Sequence, residues 1–240
     1  MQLSEIKKKC IKHYKKIILI PVIIIFVIFS NCKIGGKTVC RFTTEFNSIN
    51  VTEEDFDNIR GLYFLKNLMI DCYDTNNVNF LENKKFLKCF SIKSKVDDWS
   101  SLKNCPKLQV FYADGQCTFH NLKDFSGMKK LKNLCIGSFN PNSSKIESLD
   151  GLQDISKSLT TLILNGIENE TVLNLEKFSN LRSLEITNSS LKEIHISSYI
   201  ENLNISNNPD LRTVYVPAQY GILENITADN SPYVTIAYCK

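Results

Sequence analysis

The side chains best suited to chemistry are few in this sequence of 240 residues, which has nine cysteines and three histidines. His13 lies in a lysine-rich N-terminal segment, and His195 lies in an alternating stretch that turns it toward solvent. Cys117 and His120 have the spacing of half a zinc site, but no second close pair accompanies them. We therefore attribute this pair to local packing and predict no metal.

Motifs of catalysis and phosphate binding are missing as well. The sequence contains no glycine-rich phosphate loop, no G-x-S-x-G and no H-E-x-x-H. An enzyme would need an acid–base cluster that the sequence does not offer. We predict a protein that is not an enzyme and needs no cofactor.

Residues 1–34 are typical of a targeting segment, since lysines between Lys7 and Lys16 precede an apolar run from Ile17 to Phe29. A helix over that run would span roughly 20 Å, short of the ~30 Å hydrocarbon core, as in a signal peptide. If the segment stays uncleaved, residues 17–34 form a borderline membrane anchor with the lysines in the cytosol. A buried core helix and a bacterial lipid anchor fit poorly. We expect export through the secretory pathway, to a secreted or membrane-anchored form at the cell surface.

Charge argues against a nucleic-acid partner. The whole chain has 29 basic and 25 acidic residues, and residues 1–30 hold six lysines and one glutamate, leaving 23 basic and 24 acidic residues. Nucleic-acid binding requires a strong basic footprint, which this near-neutral remainder lacks.

An exported chain can form disulfides and can be glycosylated. Cys40 can pair with Cys72 to staple the N-terminal cap, although spacing alone does not fix the partners. Asn-x-Ser/Thr sequons make Asn50, Asn142 and Asn169 candidate glycosylation sites.

The elements that position any site follow from a repeated cadence, in which Leu181, Leu184 and Ile186 stand at positions one, four and six. Residues two apart share one face of a strand, so Leu184 and Ile186 point to the same side. The cadence recurs at intervals of about 19 to 28 residues. The units begin at Leu65, Leu87, Leu108, Leu131, Leu159, Leu181, Ile200 and Leu223. The core positions of this pattern include Leu65, Leu68, Leu131, Leu134, Leu159, Leu162, Leu181, Leu184 and Leu203.

Residues 65–230 resemble the leucine-rich repeat family in this cadence and in their returning segments. The usual asparagine or cysteine at the ninth position appears only as Asn208 and is displaced to the eighth as Asn188. The resemblance implies an α/β-type solenoid, a horseshoe with a parallel β-sheet on its concave face and short helical or irregular segments on its convex face. A β-sandwich would need strands spaced nearer 8 to 12 residues.

Four regions follow from this interpretation. They are a leader at 1–34, an N-terminal cap at 35–64, about eight repeats at 65–230 and a C-terminal cap strand at 231–240.

Positions three, five and seven of each unit line the concave face. That face is mostly polar and uncharged, with an apolar island of the kind that binding centres use. The residues predicted to bind a partner are Met69, Val110, Tyr112, Cys135, Ile163 and Glu185. The resemblance implies a protein–protein interaction module with an unidentified protein partner. A surface-coat component without a selective ligand and a cytosolic regulatory scaffold remain alternatives, the latter in conflict with the apolar leader.

Overall fold

The computed structural model describes residues 31–72, 75–137, 144–220, 223 and 225–239. The predicted leader therefore lies outside the described residues except for 31–34. In the first half of the chain the strands are β1 (Asn31–Ile34), β2 (Lys37–Cys40), β3 (Glu45–Ser48), β4 (Asn67–Asp71), β5 (Cys89–Ser94), β6 (Val110–Gly115) and β7 (Thr118–Phe119). They continue as β8 (Asn133–Ile136), β9 (Lys145–Ile146), β10 (Thr161–Asn165), β11 (Val172–Leu175), β12 (Ser183–Thr187) and β13 (Glu193–Ile196). The last strands are β14 (Asn202–Asn204), β15 (Thr213–Pro217), β16 (Ile226–Thr227) and β17 (Thr235–Cys239).

Helices are short. The single α-helix of the described residues is α1 (Phe56–Arg60). The 3₁₀ turns span Glu53–Asp55, Asn79–Leu81, Ser100–Asn104, Lys123–Phe125, Leu152–Ile155 and Ala218–Tyr220.

A nine-stranded parallel sheet runs the length of the molecule in the order β16-β14-β12-β10-β8-β6-β5-β4-β3. Each strand pairs with the equivalent strand of the next repeat without a slip, as when Leu162 lies opposite Leu184 and Leu184 opposite Leu203. The nine predicted core leucines are all at most 2% exposed. Because every repeat buries its apolar side only against its neighbours, the chain is a leucine-rich repeat solenoid.

The returning segments differ between the two halves of the solenoid. In the N-terminal half they are 3₁₀ turns, which agrees with the short helical segments that were predicted. In the C-terminal half, β11, β13, β15 and β17 form a second parallel sheet. Apolar residues alternate there, as in Val214 and Val216, and this period of two favours strands over helical turns. The region predicted as a C-terminal cap, 231–240, contains β17, the last strand of this second sheet.

Aromatic residues fill the core of the N-terminal half. Phe90 packs edge-on against Phe80 and Phe111 from the repeats on either side, with ring centroids 6.1 and 5.9 Å apart. Trp99 stacks on Phe119 at 4.5 Å, and its indole N–H donates to the Thr118 carbonyl at 3.0 Å. Large rings make favourable tilted contacts beyond the burial of their area, so this half gains packing energy that the aliphatic C-terminal half lacks.

A polar ladder closes the turns after the long sheet in the C-terminal half. Asn208 is fully buried, and its amide donates to the carbonyls of Ile186, Ile205 and Ser206. Its side-chain oxygen accepts from the backbone N–H and hydroxyl of Ser189, the ninth residue of the preceding repeat. The ninth position is thus continued by serine where asparagine is missing.

The backbone conformation at the eighth position of the repeat explains why asparagine is found there. Asn188, Asn207, Gly115 and Gly166 all have positive φ, between 53° and 90°. Asparagine and glycine tolerate this left-handed conformation best. At Gly115 a Cβ would lie 2.4 Å from the Ser94 carbonyl oxygen, so that turn requires glycine.

The N-terminal region differs from the predicted boundaries in two ways. Asn31–Ile34, expected at the end of the leader, forms an antiparallel hairpin with β2. The long sheet begins at β3, one strand before the predicted first repeat, because Glu45–Ser48 pairs in register with β4. Cys40 is exposed, whereas Cys72 is buried in the core, and the pairing of these two cysteines stays a prediction.

Candidate interaction surface

Five of the six residues predicted to bind a partner form one row across the long sheet. The strand pairings place Met69 opposite Ser91 and Ser91 opposite Tyr112. Tyr112 lies opposite Cys135, which lies opposite Ile163. Glu185 follows Ile163 at the next strand. At the usual strand spacing of about 4.8 Å, the row from Met69 to Glu185 spans about 24 Å. We call this solvent-facing side of the sheet the concave face.

The sixth residue, Val110, lies in the adjacent row. It stands two residues before Tyr112 on β6 and opposite Asn133 on β8. Side chains two apart on a strand share a face, so Val110 and Tyr112 form one patch. Both are half-buried, as is Ile163.

The members of the row differ in the exposed fraction of their side chains. Met69 is 48% exposed, whereas Cys135 is only 1% exposed. Cys135 is therefore removed from the predicted contact set, because a nearly inaccessible thiol cannot meet a partner directly. The Cys135 thiol instead makes a side-chain hydrogen bond with Tyr112, its neighbour in the row.

Burial also controls the chemistry of this row. It raises the pKa of the Cys135 thiol to about 12, so the thiol is neutral and unreactive at physiological pH. Burial likewise raises the pKa of Tyr112, with the nearby Cys135 adding to the shift. Tyr112 and Ile163 together present apolar area with a single polar hydroxyl.

The candidate metal pair is split between core and surface. Cys117 is fully buried, and its pKa is raised to about 12 by burial. His120 is exposed and lies 2.7 Å from a carboxylate oxygen of Glu147, whose hydrogen bond raises the pKa of the imidazole. His195 lies on the second sheet, stacked on Tyr215 at 4.4 Å. Among the described residues, no group of three or more His, Cys, Asp or Glu side chains could hold a metal ion.

Two of the three candidate glycosylation sites lie among the described residues. Asn50 and Asn169 are both exposed, while Asn142 and the apolar run from Ile17 to Phe29 lie outside the described residues. Within the ranges that the structure describes, no helix has the length and apolar character to cross a bilayer.

Sequence reasoning missed a set of exposed aromatic residues beside the concave face. Phe42, Phe64 and Phe86 are 50%, 46% and 44% exposed. The signal was present, because Phe64 and Phe86 each come immediately before the first leucine of a repeat.

Register, repeat length and the two parallel sheets define the fold as a leucine-rich repeat solenoid. Two solved structures show partial similarity to this chain. Internalin C2 of Listeria monocytogenes is 18% identical with a TM-score of 0.43, over 65% of this chain and 78% of that chain. Internalin F of the same organism is 14% identical with a TM-score of 0.35, over 85% and 90%. Models of known families and curated protein sequences give no match. The assignment of the fold rests on the register of this chain itself.

Proposed function

We propose that this chain is an exported or membrane-anchored leucine-rich repeat protein that binds a protein partner through its concave face. The observation that carries the proposal is the row of side chains in which Tyr112 and Ile163 lie on either side of Cys135. Half-buried aromatic and aliphatic side chains at the centre of a mostly polar face match the composition of binding hot spots.

The polar residues around the row favour selective binding over nonspecific adhesion. Asn133 and Thr161 flank it on the adjacent row, and Glu185 continues it. A polar rim around an apolar centre excludes water from the central contacts while adding specificity. The hydrogen-bonded sheet beneath fixes the backbone of these residues, which lowers the ordering cost at binding.

The test is saturable capture of a partner from a panel of purified extracellular proteins by the immobilised full chain. We expect the Tyr112→Ala and Ile163→Ala variants each to weaken capture about tenfold, because hot-spot truncations typically cost more than about 1 kcal/mol. The melting temperature should not fall, since both side chains are partly exposed.

Val172→Ala is the matched control, since Val172 is 45% exposed but lies on the second sheet. Capture that is unchanged in both concave-face variants would remove this surface from consideration. The absence of any saturable partner would instead favour a surface-coat component.

A further inference from the structure

The edge of the solenoid that leads into the concave strands carries a ladder of aromatic rings. Phe42, Phe64 and Phe86 each lie three residues before the first residue of β3, β4 and β5. Neighbouring rings stack with centroids 6.0 and 6.3 Å apart, at interplanar angles of 27° and 23°. We call these three residues the phenylalanine ladder.

Their exposure is unusual for phenylalanine in this protein. The other eight phenylalanines in the described part of the chain are all at most 7% exposed. Isolated exposed apolar residues need no explanation, but a contiguous row does. Phe64 and Phe86, two half-exposed rings on successive repeats, make a preformed apolar strip, and Phe42 stacks on Phe64 at its end.

The ladder ends in a cationic residue. Lys107 stands three residues before β6, in the place where a fourth phenylalanine would fall. Its ammonium lies 4.7 Å from the centre of the Phe86 ring, within the range of a cation–π contact. The same edge thus changes from apolar to positively charged within one repeat.

An open cavity lies at this change. Its volume is about 480 Å³, within the range of ligand-binding clefts. Phe86 and Pro106 supply its apolar wall, and Lys85, Lys103 and Lys107 line the rest with two asparagines. Three cations and no carboxylate among the lining residues make the cavity complementary to an anionic group.

We propose that this edge is a second docking surface, for an extended acidic segment of a partner protein that alternates carboxylates with aromatic side chains. Aromatic side chains of the segment would stack on the ladder, while a carboxylate would enter the cavity between Lys85 and Lys107. Charge-assisted pairing of ammonium and carboxylate fixes the register of such a segment. The surface is separate from the row that contains Tyr112.

Two other anionic partners fit less well. A lipid surface is flat on this scale and cannot fill a cavity between neighbouring repeats. A nucleic acid requires a dominant positive field, whereas residues 31–240 have 23 basic and 24 acidic residues. A peptide meets the apolar strip and the cavity together.

The experiment measures fluorescence anisotropy of a labelled short peptide of alternating glutamate and phenylalanine, titrated with the purified full chain. We expect saturable binding that weakens about tenfold or more in a Phe64→Ser/Phe86→Ser variant and in a Lys85→Glu/Lys107→Glu variant. Peptides with lysine in place of glutamate, or serine in place of phenylalanine, should bind about tenfold more weakly to the parent protein.

Tyr63→Ser is the matched control, since Tyr63 is 55% exposed and comes directly before Phe64 in the sequence but is not part of the ladder. It should bind like the parent, as should Tyr112→Ala, which keeps this surface distinguishable from the concave face. Equal affinity for the glutamate and lysine peptides, or parental binding by both ladder variants at parental melting temperatures, would overturn the proposal. So would binding of phosphatidylglycerol vesicles or single-stranded DNA through these residues without binding of the peptide.

Discussion

One buried charge stands out at the scale of the residue. Lys84 is fully buried, and its ammonium donates to the Arg60 carbonyl oxygen at 3.0 Å. Burial lowers the pKa of Lys84 to about 8, with Cys105 opposing and Arg60 reinforcing the shift. The unfolded chain therefore holds this proton to higher pH than the folded chain. Stability contributed by this group is low at neutral pH and rises between about pH 8 and pH 10.5.

Buried thiols act in the opposite direction. The pKa values of Cys105, Cys117 and Cys135 are each raised by burial to about 12. Their stabilising effect is complete below the unfolded pKa near 9 and is lost as pH rises toward 12. The free energy of unfolding of the parent protein, measured against pH, therefore contains the contributions of both the thiols and Lys84.

A comparison with the Lys84→Met variant isolates the lysine, because the thiols are common to both proteins. We expect the difference between the two free energies of unfolding to shift by about 2 kcal/mol in favour of the parent between pH 7 and pH 10. Chemical denaturation at each pH measures it, with the exposed neighbour substitution Lys85→Met as the control. A difference that stays constant with pH would show that Lys84 is not a buried ammonium.

At the scale of the element, alternation along each strand decides which side chains are core and which are surface. On β12, Leu184 is 1% exposed, while Ser183 is only half-buried and faces solvent. We expect Leu184→Asp to destabilise the protein by more than about 4 kcal/mol, since it buries an unpaired charge between two repeats.

Ser183→Asp, one residue away, should change the free energy of unfolding by only about 0.5 kcal/mol. Thermal melting of both variants measures the contrast. If Leu184→Asp melted like the parent, the register of the long sheet, and every surface assigned from it, would be incorrect.

The long sheet was predictable from the sequence because its signal is repeated in every unit. The residues at positions one, four and six of every repeat face the same core. A departure from the pattern in one repeat therefore does not hide it in the others. The second sheet was harder, although the alternation from Leu191 to Ile196 was visible. Pairing between β11, β13 and β15 depends on neighbours about 20 residues away, which a single segment does not reveal.

The candidate surface was predictable in its register but not in its depth. The row from Met69 to Glu185 follows from counting positions, and the strand pairings place it as predicted. The burial of Cys135 does not follow, because it depends on how neighbouring side chains cover it. The phenylalanine ladder was missed because the residue directly before the first leucine of a repeat is not a core position. The repeat pattern therefore predicts nothing about that residue.

At the scale of the whole molecule, the surfaces described above lie on different faces of the solenoid, although the phenylalanine ladder and the concave row share the repeats of β4 and β5. The concave row lies on the long sheet, the phenylalanine ladder on the edge before β3, β4 and β5, and the pair of His195 and Tyr215 on the second sheet. Since each repeat contacts only its neighbours, binding at one surface stiffens mainly the repeats that contribute to it. The position of a partner can therefore be read from local protection.

Hydrogen exchange of the full chain, with and without a saturating partner, tests whether the partner binds the concave face. We expect slower exchange in Val110–Gly115, Asn133–Ile136 and Thr161–Asn165, the strands that carry Tyr112 and Ile163 and the one between them. Protection confined to β11, β13, β15 and β17 would contradict it, because the partner would then bind the opposite side of the solenoid.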